Sequence, residues 1–273
     1  MPWQPLLALH TWTLDTTPLA QVLEIARTTG WSAIELRQPD FDRAASEGRR
    51  ADELIASVRA SGLPVCMLGT RSGFLFAPAD ERRELLKALQ DTCRHAVALG
   101  CPMLMTGPGR HDAPLAEAAA VLREAGDIVA AHGLRMAVEF SWMHGTLHGV
   151  PELVQLLDLA GHPACGALLD TYHLQRSGRP GRGFDEVPAE RLFAVQFSDC
   201  TSRPDPAHPP PTDRLLPGTG DVQWREVFEA LADLGYSGAL SFEAPNPSTW
   251  SRDPREVAVE ALAATHRLLA TIR

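Results

Sequence analysis

Residues 115–139 read LAEAAAVLREAGDIVAAHGLRMAVE, and this stretch contains the unit from which the fold is built. Its first part carries apolar residues at three- and four-residue spacing, which is typical of an amphipathic helix. Gly133 comes after the helical part and suits the left-handed conformation that commonly ends a helix. A short apolar run follows and closes on Glu139. The stretch therefore predicts a helix, a glycine stop and a buried strand.

The same order of helix, glycine and strand recurs five times along the chain, at a period of about 35 residues. Eight short apolar runs are predicted to be strands: Leu6–His10, Ala33–Arg37, Pro64–Leu68, Met103–Thr106, Arg135–Glu139, Gly166–Asp170, Leu192–Gln196 and Ala239–Glu243. Helices are predicted at Leu19–Thr29, Ala51–Ser61, Glu81–Leu99, Leu115–Ala131, Pro151–Leu159, Trp224–Leu234 and Arg255–Ile272. Continuous apolar runs are typical of parallel strands that are covered on both faces.

Two parallel α/β architectures fit this alternation. A doubly wound sheet needs a glycine-rich phosphate turn after its first strand, and His10-Thr11-Trp12-Thr13 does not supply one. A closed barrel needs about 250 residues, and this chain has 273. We therefore predict an α/β fold that is a single-domain (β/α)8 TIM barrel over residues 1–273.

The alternation is interrupted at about residues 199–220, where several prolines follow the seventh predicted strand. Loops that follow the strands of a barrel lie at its C-terminal face, which is where active sites are built. We expect this proline-rich segment to be an active-site lid or wall. A rigid surface loop without a role is the alternative.

Composition narrows the possible partners and the compartment. The formal charge is −9 and positive residues are not clustered, which argues against nucleic acid or an anionic membrane surface as a partner. No leader pattern is present and no apolar run approaches about 18 residues, so we expect neither a signal peptide nor a membrane span. The five cysteines form no CxxC and are interpreted as buried thiols in a reducing cytosol. A cytoplasmic protein is expected.

The last four predicted strands each end in a side chain with an oxygen that binds hard metals: Glu139, Asp170, Gln196 and Glu243. A carboxylate at the end of a buried strand needs a partner, because burial disfavours its charge. Since strand ends converge at one face of a barrel, we predict that the four hold one divalent cation. Three carboxylates and an amide suit Mn²⁺, Mg²⁺ or Co²⁺ better than structural zinc. A carboxylate paired with a barrel arginine is the alternative for any one of them.

Other polar residues at the same predicted face are candidates for binding substrate: His10, Glu35, Arg37, His144 and His173. Arg37 either neutralises Glu35 or grips a substrate oxygen. His173 follows Asp170 by three residues, and we expect the loop there to turn it back over the pocket, where it orients a substrate hydroxyl or acts as an acid. A histidine that caps the next helix is the alternative.

The chain resembles the xylose isomerase-like barrel superfamily, and within it the sugar phosphate isomerase/epimerase and inosose dehydratase branch. The resemblance rests on Val138-Glu139-Phe140, the Asp170-Thr-Tyr-His173 tetrad, Val195-Gln196-Phe-Ser-Asp199, Arg214-Leu-Leu-Pro-Gly-Thr-Gly-Asp221 and Ser241-Phe-Glu243. It implies one divalent metal, usually manganese, magnesium or cobalt, held by Glu139, Asp170, Gln196 and Glu243. It also implies a small carbohydrate or cyclic polyol as substrate, and by analogy a homo-oligomer is possible.

One position departs from the resemblance. In the epimerases and keto-sugar isomerases of this superfamily the ligand on the seventh strand is usually histidine, whereas Gln196 is similar to some dehydratases, such as those that act on 3-dehydroshikimate. The DNA-repair endonuclease IV group also resembles the chain, at Glu139, Asp170, His173 and Glu243. That group needs further histidines that are missing here, and the acidic charge disfavours DNA.

The chemistry that the resemblance implies is proton abstraction next to a carbonyl through a metal-stabilised enediolate. Glu139 and Glu243 are the candidate bases, and His173 or His144 is the candidate acid. Return of the proton makes the protein an isomerase or epimerase, which is the leading prediction. Expulsion of a β-hydroxyl makes it a dehydratase, a carbon–oxygen lyase, which is the alternative. A non-catalytic sugar-binding barrel is the third possibility.

Overall fold

Parallel strands close into a barrel in the computed structural model, which describes residues 3–272. Residues 1, 2 and 273, which the predicted domain included, lie outside the described part of the chain. Within it each strand pairs with the next along the chain, and the eighth pairs with the first. The strands are β1 (Leu6–His10), β2 (Ala33–Leu36), β3 (Val65–Gly69), β4 (Met103–Thr106), β5 (Arg135–Glu139), β6 (Cys165–Asp170), β7 (Leu192–Phe197) and β8 (Ala239–Phe242). The predicted (β/α)8 barrel is confirmed.

Helices surround the barrel and connect its strands. They are α1 (Leu19–Thr29), α2 (Gln38–Ser46), α3 (Ala51–Ala60), α4 (Ala79–Leu99), α5 (Leu115–Ala131), α6 (Val150–Ala160), α7 (Thr171–Arg176), α8 (Trp224–Asp233), α9 (Pro247–Trp250) and α10 (Pro254–Leu269). The glycine stops are present: Gly30 and Gly100 follow α1 and α4 with φ angles of 99° and 70°. No helix within residues 3–272 combines the length and apolar character needed to cross a membrane.

The sequence predicts Arg37 to be the last residue of the second strand, but in the structure Arg37 lies outside that strand. β2 ends at Leu36, and Arg37 is the residue that precedes α2. The backbone N–H of Arg37 donates to Asp40 Oδ2 at 2.8 Å, and Pro39 occupies the first turn of the helix. Proline suits that turn because its missing N–H is not needed there. These two local features make Arg37, the predicted last residue of the strand, the cap from which α2 begins.

The interior of the barrel is filled by apolar side chains from its middle strands. Met67, Met103, Ala137, Leu168 and Ala194 belong to one buried cluster, which is separate from the larger core that includes the helices. Side chains alternate between the two faces of a strand. Glu139, Asp170 and Gln196 each stand two residues beyond a member of this inner cluster, so they point to the same side. The inner face therefore changes from apolar to polar at the C-terminal mouth of the barrel.

The proline-rich segment after β7 is attached to the barrel through Asp199. Its backbone forms an antiparallel bridge with Leu215, and its carboxylate accepts hydrogen bonds from the Gly218 amide and the Trp224 indole, both at 2.8 Å. The far end of the segment is thus tied back to the buried residue with which the segment begins. All five cysteines lie in the described part of the chain and are free thiols.

Candidate active site

Three carboxylates meet at the C-terminal mouth of the barrel. Glu139 and Asp170 are the last residues of β5 and β6, and Glu243 follows β8 directly. Three residues here each offer one atom of a kind that binds metals: Glu139, Asp170 and His173. These three atoms lie within 4.8 Å of one another. Asp170 is completely buried, so its charge needs a partner of opposite sign.

Arg214, which comes from the proline-rich segment, provides part of that positive charge. Its Nη1 atom lies 2.5 Å from Asp170 Oδ2 and 3.3 Å from Glu243 Oε2. The same nitrogen donates to the carbonyl oxygen of Glu243 at 3.2 Å. The guanidinium carbon lies 4.3 Å from the centroid of the Tyr172 ring, and the whole residue is 2% exposed. The segment therefore contributes a buried cation to the mouth of the barrel.

The backbone around Arg214 is fixed by neighbouring buried groups. The Tyr172 hydroxyl donates to Asp213 Oδ1 at 2.6 Å, and Arg176 of α7 forms an ion pair with the same carboxylate. Asn246 donates its side-chain amide to the Arg214 carbonyl oxygen at 2.9 Å. These contacts hold residues 213 and 214 from both sides, so the guanidinium is directed at the carboxylates by a rigid attachment.

Arg214 compensates only part of the negative charge of the carboxylates. Burial raises the pKa of Glu139 well above its usual range, and repulsion from Asp170 and Glu243 adds to this rise, against the lowering effect of Arg214. Burial also raises the pKa of Glu243 to about 7, again against the attraction of Arg214. A second positive charge at the mouth would bring both groups back to their ionised forms.

Gln196 directs its amide nitrogen towards β2. Its Nε2 atom donates to Glu35 Oε1 at 2.8 Å. Among residues 3–272, the buried side-chain oxygens without a hydrogen-bond partner include Gln196 Oε1, Glu35 Oε2 and Glu139 Oε1. Burial raises the pKa of Glu35 well above its usual range, and the charge of Glu243 adds to this rise. Unpartnered buried oxygens are uncommon and indicate a missing ion, water or ligand.

His10 connects Glu35 with Glu243. Its Nε2 atom lies 3.4 Å from Glu35 Oε1 and 3.3 Å from Glu243 Oε1. Its Nδ1 atom accepts the backbone N–H of Trp12 at 3.1 Å, so the neutral ring carries its proton on Nε2. Burial lowers the pKa of His10 well below its usual range, which keeps the ring neutral. The imidazole therefore donates towards the two carboxylates.

His173 lies in the first turn of a helix and not in a loop, which corrects the expectation from the sequence. α7 begins immediately after Asp170, because Asp170 Oδ1 accepts the backbone N–H of Tyr172 at 2.9 Å and caps the helix. His173 Nε2 lies 3.6 Å from Glu139 Oε1, and Nδ1 accepts the N–H of Trp142 at 3.4 Å. Burial lowers the pKa of His173 to about 4. The neutral ring therefore presents an Nε2–H donor beside Glu139.

Arg37 and His144 are engaged elsewhere. Arg37 Nη2 lies 2.5 Å from Asp15 Oδ1, and no ion pair joins it to Glu35 in the part of the chain that the structure describes. His144 Nε2 lies 2.8 Å from the carbonyl oxygen of His111, while Nδ1 accepts the backbone N–H of Leu147 at 2.8 Å. One ring nitrogen of His144 therefore serves to fold its own loop, and the other ties that loop to the loop after β4. Substrate contact by either residue stays a prediction that these contacts do not support.

Residues 23–268 match the family model described as the xylose isomerase-like TIM barrel, so the chain belongs to this family. An inosose isomerase of Halalkalibacterium halodurans is 22% identical over 251 residues, which cover 89% of each protein. A 3-dehydroshikimate dehydratase of Pseudomonas putida is 27% identical over 143 residues, which are 52% of this chain and 22% of that protein. A crystal structure of the IOLI protein with a bound zinc atom has a TM-score of 0.88 and 19% identity, covering 98% of this chain and 99% of that one.

A divalent cation fits the residues at the mouth. Glu139, Asp170 and Glu243 carry three negative charges when ionised, and Arg214 offsets one, so a formal charge of two remains. Carboxylate and amide oxygens are the donors that hard divalent ions prefer. The unpartnered oxygens of Glu139 and Gln196 are two such donors.

Arg214 is the residue of the site that sequence reasoning did not assign. It stood within the segment 214–221 on which the resemblance partly rests, and it follows a strand whose end carries a candidate ligand. The need to neutralise three carboxylates was the available signal. Nothing local in the sequence indicates that an arginine 44 residues beyond Asp170 folds back onto it.

Proposed function

We propose that this chain is a divalent-metal-dependent isomerase or epimerase that acts on a small sugar or cyclic polyol ketone. Mn²⁺ is the metal that we put first, with Mg²⁺ and Co²⁺ as alternatives, and Glu139, Asp170, Gln196 and Glu243 are its proposed ligands. The observation that carries the proposal is the convergence of three carboxylates whose charge Arg214 only partly offsets. The inosose isomerase relative, which aligns over most of the chain, supports it.

Each residue has a proposed role in proton transfer next to a carbonyl. When bound, the cation supplies an electrophile that polarises the substrate carbonyl and stabilises the negative charge that develops on its oxygen. Glu139 and Glu243 are the proposed bases: one removes the proton from the neighbouring carbon, and one returns a proton to it or to the adjacent carbon. His173 donates its Nε2–H to a substrate hydroxyl and orients it.

A dehydratase is the second candidate, and Gln196 is the observation that favours it. The sequence resemblance associates glutamine at this place with dehydratases, and the 3-dehydroshikimate dehydratase of Pseudomonas putida is among the relatives. The first step would be the same removal of a proton by a carboxylate. The electron pair left on carbon would then form a double bond and expel a β-hydroxyl, which leaves as water after it takes up the proton that the carboxylate removed, while His173 Nε2–H hydrogen-bonds to it.

The test is turnover of a panel of keto-sugars, keto-cyclitols and 3-dehydroshikimate by the manganese-loaded protein in deuterated water. Deuterium in an isomer or epimer supports the first candidate. Loss of water with a new conjugated absorbance supports the second. Glu139→Gln should abolish either reaction, and Glu190→Gln, at an exposed glutamate away from the mouth, is the matched control. A protein that binds no manganese would overturn both candidates.

A further inference from the structure

The hydrogen bond between Gln196 and Glu35 crosses the interior of the barrel. β7, which carries Gln196, pairs with β6 and β8, whereas β2, which carries Glu35, pairs with β1 and β3. The two residues are 161 positions apart in the chain, and their side chains meet at 2.8 Å. Glu35 is completely buried, and Gln196 is 1% exposed. This contact is therefore a product of barrel closure and is enclosed on all sides.

A glutamine ligand has a problem that a carboxylate ligand does not have. Its amide ends in one oxygen, which can bind a hard cation, and one NH₂ group, which cannot. Rotation by half a turn about the last bond exchanges the two, and both ends fit a cavity of the same shape. An acceptor placed on the nitrogen side decides which end faces the cation. Glu35 is such an acceptor, and Gln196 Oε1 is left without a partner among the described residues.

We propose that Glu35 is a positioning residue that fixes the amide of Gln196 with its oxygen available to the divalent cation. The inference rests on the proposed metal site and goes beyond it, because it assigns Glu35 to the orientation of a ligand and not to the binding of substrate. In other metal sites, side chains that hydrogen-bond to a metal ligand fix its orientation in the same way.

His10 extends the same arrangement to a second ligand. Its Nε2–H lies between Glu35 Oε1 and Glu243 Oε1, at 3.4 Å and 3.3 Å. Glu35 therefore contacts Gln196 directly and is linked to Glu243 through one imidazole. Arg37, the cation next in sequence to this strand, pairs with Asp15, and Ser241 of β8 is a further polar side chain beside Glu35 that lowers the pKa of its carboxyl. The Glu35 carboxylate thus contacts one proposed ligand, Gln196, and a side chain, His10, that reaches a second one, Glu243.

The experiment measures the affinity of the protein for Mn²⁺ by calorimetry and by the paramagnetic resonance of the free ion. Glu35→Met removes both acceptor oxygens and retains an unbranched side chain of similar length. We expect it to weaken Mn²⁺ binding by about ten- to a hundredfold. Glu35→Gln keeps one acceptor oxygen and should retain affinity within about threefold of the parent protein. If Glu35→Met does not fold, Glu35→Ala carries the same expectation.

A double-mutant test with Gln196 distinguishes the loss of ligand orientation from a general loss of structure. In a Gln196→Leu background, which removes the ligand, Glu35→Met should cause no further loss of affinity. Asp40→Leu is the matched control: this buried carboxylate lies five residues after Glu35, in α2, but it accepts hydrogen bonds from Thr11 and from the Arg37 amide. It should lower thermal stability and leave Mn²⁺ affinity unchanged.

Two failures can be told apart. If the parent protein binds no Mn²⁺, the metal site itself is wrong. If the parent protein binds Mn²⁺ and folded Glu35→Met binds it equally well, only the role of Glu35 is wrong. Additive losses in the Gln196→Leu background would also overturn the inference, because Glu35 would then act independently of the amide.

Discussion

Arg214 Nη1 lies 2.5 Å from Asp170 Oδ2, so a cation from the proline-rich segment contacts a carboxylate at the end of β6. Both groups are almost completely buried, with side-chain exposures of 2% and 0%. A buried pair of this kind is held by the geometry around it, because its mutual attraction must offset the loss of hydration of two charges. Here Asp213, Tyr172 and Asn246 supply that geometry.

Arg214→Met should strengthen Mn²⁺ binding while it weakens the metal-free fold. The guanidinium is a positive charge beside two proposed ligands, so its removal leaves more negative charge for the cation. Loss of one partner of a buried pair costs about 3–5 kcal/mol of stability when the other charge stays behind. Titration calorimetry and thermal unfolding in the presence of a chelator measure the two effects. Weaker Mn²⁺ binding by the folded variant would contradict this reading of Arg214.

Tyr172→Phe should loosen the attachment of the proline-rich segment without touching the carboxylates at the mouth. The hydroxyl donates to the buried Asp213 at 2.6 Å, and the ring remains to stack on Arg214. We expect a loss of about 1–3 kcal/mol, since Asp213 keeps only its other partners. Denaturant unfolding measures the stability, and hydrogen exchange of residues 199–220 should increase selectively. Uniform exchange across the barrel would contradict a local role.

Glu139→Gln and Glu243→Gln should each lower kcat by about a hundredfold or more if the carboxylates act as bases. Each amide keeps the size of the side chain and one oxygen donor, so the change falls on proton transfer more than on packing. Steady-state kinetics on the substrate found with the panel measures the loss. A variant with unchanged kcat would exclude that residue as a base.

The raised pKa values of Glu139 and Glu243 should lower the stability of the metal-free protein as the pH rises from about 4.5 through about 7. Above the ordinary carboxyl pKa of 4.5 the folded state binds more protons than the unfolded chain, and this difference disappears once the pH has passed the folded pKa, which is about 7 for Glu243. The slope is at most about 1.4 kcal/mol per pH unit for each proton.

Histidine has the opposite effect in an overlapping range of pH. The pKa of His173 is lowered to about 4 from an ordinary value of 6.5, so the stability that it contributes is lost as the pH falls below 6.5. Between about pH 4.5 and 6.5 the two effects oppose each other, and above about pH 6.5 only the carboxyls act, so melting temperatures measured with a chelator should fall as the pH rises above 6.5. Saturating Mn²⁺ should remove the fall on the alkaline side, because it favours the ionised carboxylates. A chelated protein whose melting temperature rises towards pH 8 would contradict the assignment.

Much of the fold could be predicted because its signals are local. The boundaries of β1, β4 and β5 agree with those predicted, and the other strands differ by about a residue at an end. A buried parallel strand needs a continuous apolar run, and a helix before it needs a stop, so both are visible in short windows. The helices α2 and α7 were missed since each begins at once after a strand, where a loop was expected.

The sequence by itself determined the barrel and the side chains at its strand ends: Glu139, Asp170, Gln196 and Glu243 follow apolar runs whose period of two fixes the face on which they lie. Only the tertiary structure decided how they are partnered. The contacts of Gln196 with Glu35 and of Arg214 with Asp170 join residues 161 and 44 positions apart. No local pattern encodes such pairs, because barrel closure and the path of one long loop bring them within hydrogen-bonding distance.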